Sequence, residues 1–205
     1  MGSRSAAKTK IGSIPEVLVA EHLNGIPFFY KGYEKIIENP EKLAAIMGSS
    51  ALQAEIIQYL LRICLTGLDS KKYRIYTNEI GSHISKNTNT SHDLAIFDKN
   101  VLTPDLITSK YTAVPADLVV EVDVDVVSEQ ISELEYIVRK NRLLLEFGVK
   151  RIIWIFSGVQ KVLIITPDNF NKLILEDWNQ DIILLDGISF NIGAYLREEG
   201  VKLPN

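Results

Sequence analysis

The sequence is poor in the residues that most often announce a chemistry. Across 205 residues it holds one cysteine, three histidines and two tryptophans. The single cysteine, Cys64, excludes an internal disulfide, and with so few histidines a cysteine-rich structural zinc site is excluded too. Cys64 lies in the apolar run 56–65, where a thiol reads as a core residue rather than a nucleophile. A reducing, cytoplasmic setting is expected. No glycine-rich phosphate loop follows any strand-like run, which argues against a nucleotide cofactor. No apolar run is long enough to span a bilayer and no export signal opens the chain, so no membrane association is expected. Positive charge is not in excess either. The net charge of −4 argues against a protein coated in nucleic acid, though not against a local basic cleft.

What is present suits one globular domain. The apolar fraction of 46% is enough for a sizeable core. Residues 1–13 read as a disordered tail and 14–205 as a single domain. In chain order, 14–23 reads as a short helix and 28–37 as a hairpin around Gly32. A further helix is expected to start at Asn39-Pro40. Ser50 with Gln53 forms a capping-box signal for a helix whose stripe includes Leu52, Ile56, Leu60, Cys64 and Leu65, closed by Gly67. Residues 73–84 and 92–98 read as paired strands joined by a polar turn over 86–91. A long loop, 99–115, follows. A helix over 128–147, ended by Gly148, precedes the continuous apolar run 151–156, which suits a central strand. Strands are expected at 161–166, 173–175 and 182–185, and a last helical segment at 190–197. The pattern predicts a mixed α/β sandwich rather than a doubly wound nucleotide fold.

One stretch concentrates negative charge. Read as a strand, 117–125 places Leu118, Val120, Val122 and Val124 on one face. Asp117, Glu121, Asp123 and Asp125 share the other with Val119. Such a face either lies at a solvated edge or gathers around a cation, and hard divalent cations take oxygen ligands. The following helix carries an oddity. Lys140 falls between Leu144 and Phe147, inside the apolar arc, whereas Arg139 and Arg142 lie opposite. A lysine facing a sheet snorkels, pairs with Glu133, or reaches the carboxylates of the strand before it.

These residues resemble the restriction-endonuclease-like nucleases of the PD-(D/E)XK superfamily, and within it the Uma family of candidate endonucleases. The matching stretches are Ser91-His92-Asp93-Leu94-Ala95-Ile96-Phe97 and Pro115-Ala116-Asp117-Leu118-Val119-Val120-Glu121-Val122. They continue through 140–149 and Arg151-Ile152-Ile153-Trp154-Ile155. The likeness spans about 28–185 and implies a mixed sheet flanked by helices, with an N-terminal hairpin and extra C-terminal strands. It implies that Asp93 and Glu121 hold Mg²⁺ or Mn²⁺ with help from the Val122 carbonyl, and that Lys140 positions the nucleophile. It implies metal-dependent hydrolysis of nucleic acid, DNA first, with a homodimer by analogy. Asp123, Gln53, Glu55 and Glu79 are further candidates. The sequence departs from the family where His92 replaces a proline, Gln53 replaces a histidine, and Asp123 stands where the superfamily usually keeps lysine. Those departures leave a degenerate nucleic-acid-binding or interaction module, or a buried ion network, as alternatives. Lys71, Lys72, Arg74, Lys86, Lys150 and Arg151 are the expected phosphate contacts.

Overall fold

The computed structural model describes residues 14–39, 48–170 and 172–202. The expected tail over 1–13 and the helix start after Asn39 fall outside them.

The chain begins differently from expectation. Only a 3₁₀ turn at Glu16–Leu18 replaces the helix expected over 14–23. Strands β1 (Val19–Leu23) and β2 (Ile26–Tyr30) form the first hairpin instead. Its turn is Asn24-Gly25, at φ 52° and 78°, the left-handed pair that a tight two-residue hairpin turn requires. Gly32, at φ 88°, is therefore not a hairpin turn but leads into α1 (Tyr33–Glu38). Helix α2 (Ala51–Gly67) starts as expected, with Ser50 Oγ accepting from the Gln53 N–H at 3.1 Å. Its buried stripe of Ile56, Leu60 and Cys64 is narrower than expected, and Leu65 is exposed.

Strands β3 (Tyr73–Ser85) and β4 (Thr88–Asp98) make a long hairpin. The polar 88–91 segment belongs to the strand, not the turn. Thr88, Thr90 and His92 alternate as buried residues, and β-branched threonines suit a pleated ladder. The acidic stretch contributes β5 (Leu118–Val122), which pairs antiparallel with β4 and parallel with β7 (Arg151–Phe156). All five residues of β5 are buried, so the solvated-edge alternative is excluded. Between them lie β6 (Val126–Val127) and α3 (Glu133–Phe147). α3 begins later than expected because Ser132, not Ser128, caps it: its Oγ accepts from the Glu135 N–H. Gly148 ends it at φ 115°. Strands β8 (Lys161–Ile165) and β9 (Ile174–Asp177) extend the sheet. A separate hairpin, β10 (Ile182–Leu185) and β11 (Ile188–Phe190), precedes α4 (Ile192–Glu198).

The main sheet has the order β6-β2-β1-β4-β5-β7-β8-β9, with β3 on the far side of β4. Ile56, Leu60 and Cys64 of α2 pack on one face, against Leu94, Ile96, Leu118, Val120, Val122, Ile153 and Ile155. Tyr136, Ile137 and Leu144 of α3 pack on the other, against Ala95, Phe97, Val119, Ile152 and Trp154. Val124 joins this second face, against expectation, because Asp123 sits at φ 61° and breaks the alternation.

The sheet forks along β4. One edge of β4 runs beside β3. The other is shared: Asn89 bridges to His22 of β1, whereas Leu94–Ile96 pair with β5. Between those contacts, at Ser91-His92-Asp93, the ladder is interrupted. Buried backbone groups need partners, so side chains must supply them there.

Candidate active site at the fork

Three segments meet at the fork. β1 supplies Glu21, β4 supplies His92 and Asp93, and β5 supplies Glu121 and Val122. α3 crosses behind with Tyr136 and Lys140. The side chains complete the broken ladder. The Ser91 N–H donates to Glu21 Oε1 at 3.0 Å, and the Ser91 carbonyl accepts from Lys140 Nζ at 2.9 Å. The Val122 N–H donates to Asp93 Oδ2 at 2.7 Å.

Lys140 is 2% exposed and lies at the centre. Its ammonium is 2.7 Å from Glu21 Oε1, 3.0 Å from Glu121 Oε1 and 3.2 Å from the Tyr136 hydroxyl. It neither snorkels nor pairs with Glu133, which faces Lys31 at 3.6 Å. The buried face of α3 is Tyr136, Ile137, Lys140, Asn141 and Leu144, whereas Leu134 is exposed. Asn141 accepts from Trp154 Nε1 at 2.8 Å, which locks the helix to β7 beside the lysine.

One ammonium is shared between two carboxylates, and they fare differently. Burial alone would raise the Glu21 carboxyl, but the charge and hydrogen bond of Lys140 hold it below its usual range. Tyr136 Oη also donates to Glu21, at 2.9 Å. Burial pushes Glu121 up to about 7, only partly offset by Lys140 and aggravated by Glu21. Asp93 also rises to about 7, through burial and the charge of Glu121. Lys140 is raised well above its ordinary value: burial opposes its charge, but the two glutamates outweigh it. His92 is driven down to about 3 by burial and by Lys140, so it is a neutral ring. Its partners assign the tautomer: Nδ1 donates to Glu121 Oε1 at 2.9 Å, and Nε2 accepts from Ser82 Oγ at 3.1 Å.

The site opens on a cleft of about 530 Å³. Among the described residues its walls carry six carboxylates, Glu21, Glu79, Asp93, Glu121, Asp123 and Asp125, against two lysines, Lys31 and Lys140. No set of three or more His, Cys, Asp or Glu side chains forms a metal cage among those residues. The oxygens nevertheless suit Mg²⁺ or Mn²⁺. Such ions commonly take one or two carboxylates and keep several waters. Asp93 Oδ1 and the Val122 carbonyl both face one point, which the Gln53 carboxamide fills: Nε2 lies 3.4 Å from the first and 3.2 Å from the second.

Asp93, Glu121, Val122, Lys140 and Gln53 are thus brought together. Asp123 lines the cleft, but its carboxylate turns away to accept from the Ser157 N–H at 2.7 Å and from Ser157 Oγ at 2.6 Å. Glu79 is exposed at the rim, on a bulge at φ 55°. Glu55 does not line the cleft; it accepts from the Tyr195 hydroxyl instead. The expected phosphate contacts do not line the cleft. Lys72 pairs with Asp186 at 2.9 Å and Lys150 with Asp117 at 2.7 Å, whereas Arg74 and Arg151 bond the carbonyls of Leu102 and Ile183.

Glu21, His92 and Tyr136 were missed. The signal for Glu21 was the Asn24-Gly25 dipeptide. Read as a hairpin turn, it makes 19–23 a strand with Glu21 and Leu23 on one face, and Leu23 demands a core. His92 gave no signal beyond its place beside Asp93.

No family model and no curated protein matches the chain. A solved chain from Anabaena variabilis ATCC 29413, described as a candidate nuclease belonging to DUF820, does match. The TM-score is 0.54 at 13% identity, over 72% of this chain and 80% of that one. The chain therefore shares the fold of that protein, a large mixed sheet flanked by helices; in this chain the N-terminal hairpin lies at 19–30 rather than at the expected 28–37.

Proposed function

We propose that residues 14–205 act as one nuclease-like domain that hydrolyses phosphodiester bonds of nucleic acid in the presence of Mg²⁺ or Mn²⁺. The observation that carries this reading is the charge balance at the fork. Two buried carboxylates, Glu21 and Glu121, and the half-buried Asp93 face one ammonium and a neutral imidazole. Burial raises the Asp93 and Glu121 carboxyls to about 7, and Lys140 offsets only part of that rise. A divalent cation would supply further positive charge.

Asp93, Glu121 and the Val122 carbonyl would hold the ion. When bound, it would lower the pKa of a coordinated water and stabilise negative charge on the phosphoryl group. The protein's own contribution is positional. Lys140 is fixed from three sides by Glu21, Tyr136 and the Ser91 carbonyl, so its ammonium stands beside Glu121 without further reorganisation. His92 Nδ1 donates to the same residue's carboxylate, at Glu121 Oε1. DNA as substrate, a homodimeric state, a cytoplasmic location and membership of the Uma family belong to the same proposal. The fold likeness and the motif order support it.

A second reading, a catalytically degenerate module that binds nucleic acid or a partner, is favoured by one observation. The cleft is acidic at its rim, and the expected phosphate-binding cations do not line it. Incubation of purified protein with single- and double-stranded DNA and RNA plus Mn²⁺ decides between them. Cleavage that disappears in Asp93→Ala, Glu121→Ala and Lys140→Ala supports hydrolysis. Binding without cleavage under every metal supports the second reading.

A further inference from the structure

Gln53 has a side chain that its helix does not explain. A capping box would return it to the N–H of Ser50. Instead the residue is 6% exposed, and its carboxamide turns into the fork. There Nε2 donates to the Val122 carbonyl at 3.2 Å and to Asp93 Oδ1 at 3.4 Å. Both of these neighbours are acceptors, so the amide must present its NH₂ and not its oxygen. A polarised NH₂ surrounded by hard oxygens is a neutral surrogate for a cation.

We infer that the Gln53 carboxamide is a displaceable internal occupant of the cation seat, so that the amide and a divalent ion compete for Asp93 and Val122. The inference rests on the metal-dependent reading above and concerns how that site is regulated. The apparent affinity of a ligand falls by the fraction of protein in which its seat is open. Gln53 lies in the first turn of α2, directly after Ser50, which caps it. Whatever shifts that turn relieves the competition. The cleft wall at Ser49 and Gln53 is thereby coupled to metal occupancy.

The competing role, Gln53 as a metal ligand, predicts the opposite sign. Calorimetric titration of the full chain with MnCl₂, paralleled by electron paramagnetic resonance of bound Mn²⁺, separates the two for wild type, Gln53→Ala, Gln53→Met and Asp93→Ala. Methionine keeps the length without donor or acceptor, and alanine favours the helix; urea midpoints identify any variant that fails to fold. Both Gln53 variants should bind Mn²⁺ roughly five- to tenfold more tightly, the size set by two long neutral hydrogen bonds. Asp93→Ala should bind none. Equal or weaker binding by the Gln53 variants, with wild type binding, overturns the inference and leaves the proposed function intact. Absence of binding in all four proteins overturns both.

Discussion

Lys140→Met is the sharpest test of the buried cluster, because it removes the one ammonium and keeps the length of the side chain. The ammonium lies 2.7 Å from Glu21 and 3.0 Å from Glu121, with 2% of the residue exposed. At an effective permittivity near 20, each contact is a gross attraction of about 6 kcal/mol. Desolvation of all three groups offsets most of that. Removing one partner of a buried pair nevertheless costs about 3–5 kcal/mol, because the other charge is stranded. Two carboxylates are stranded here, so the upper half of that range is expected at pH 8, measured by urea unfolding. The penalty should depend on pH with a definite sign. In the variant Glu21 and Glu121 lose their counter-charge, so their folded pKa values rise. The stability of their neutral forms is fully present below about pH 4 and is lost as pH rises through the raised values. The variant should therefore be much less impaired at pH 5 than at pH 8. Adding Glu21→Gln to Lys140→Met should restore more than half of the loss at pH 8, since it removes a stranded charge. A cost under about 1 kcal/mol at pH 8, or one equal at both pH values, would refute the cluster's energetics.

Two further outcomes follow from the geometry. Asp93 has a carboxyl raised to about 7 by burial and Glu121, so the stability it confers is present below about pH 4 and lost as pH rises through 7. Asp93→Asn keeps an acceptor for the Val122 N–H and cannot ionise; metal-free, it should exceed wild type by about 1–2 kcal/mol at pH 8 and match it at pH 4. Thermal melts across that range check it, and a less stable variant at pH 8 contradicts the desolvation argument. Gly148→Ala should cost about 1–2 kcal/mol, because φ is 115° and the new Cβ would sit 3.1 Å from Pro115 Cγ. Its Mn²⁺ affinity should equal that of wild type, a dissociation that a calorimetric titration can read.

The order of the longer elements from α2 to α4 was legible because periodicity and caps agree there, whereas the short strands β6 and β11 were not. Ser50, Gly148 and the apolar run 151–156 each act locally. Lys140 was legible as an anomaly of the helical wheel. Its partner was not, because Glu21 is 119 residues away and no local pattern encodes that pairing. The first hairpin was misplaced for a different reason. Phe28-Phe29-Tyr30 and Gly32 drew the turn toward the aromatic run, whereas the stronger backbone signal was Asn24-Gly25. Val124 changed face because Asp123 adopts a left-handed conformation, which alternation cannot foresee. The phosphate contacts failed because a lysine's availability depends on neighbours such as Asp117 and Asp186 that come from distant segments.

The fork in β4 also bears on how the molecule reaches its native state. A continuous ladder can zip residue by residue from a hairpin turn, but an interrupted one cannot. At Ser91 the gap is closed by Glu21 and Lys140, which bracket most of the chain. Bringing them together closes a loop whose entropy costs about 4 kcal/mol before any contact rewards it. The β3–β4 and β7–β8 hairpins have no such requirement and form from neighbours in sequence. Joining the two halves of the sheet thus rests on contacts far apart in sequence, which slow folding relative to the local hairpins. A chain still emerging from synthesis holds Glu21 and Asp93 without their lysine, and acquires the chemistry of the fork only once α3 has been made.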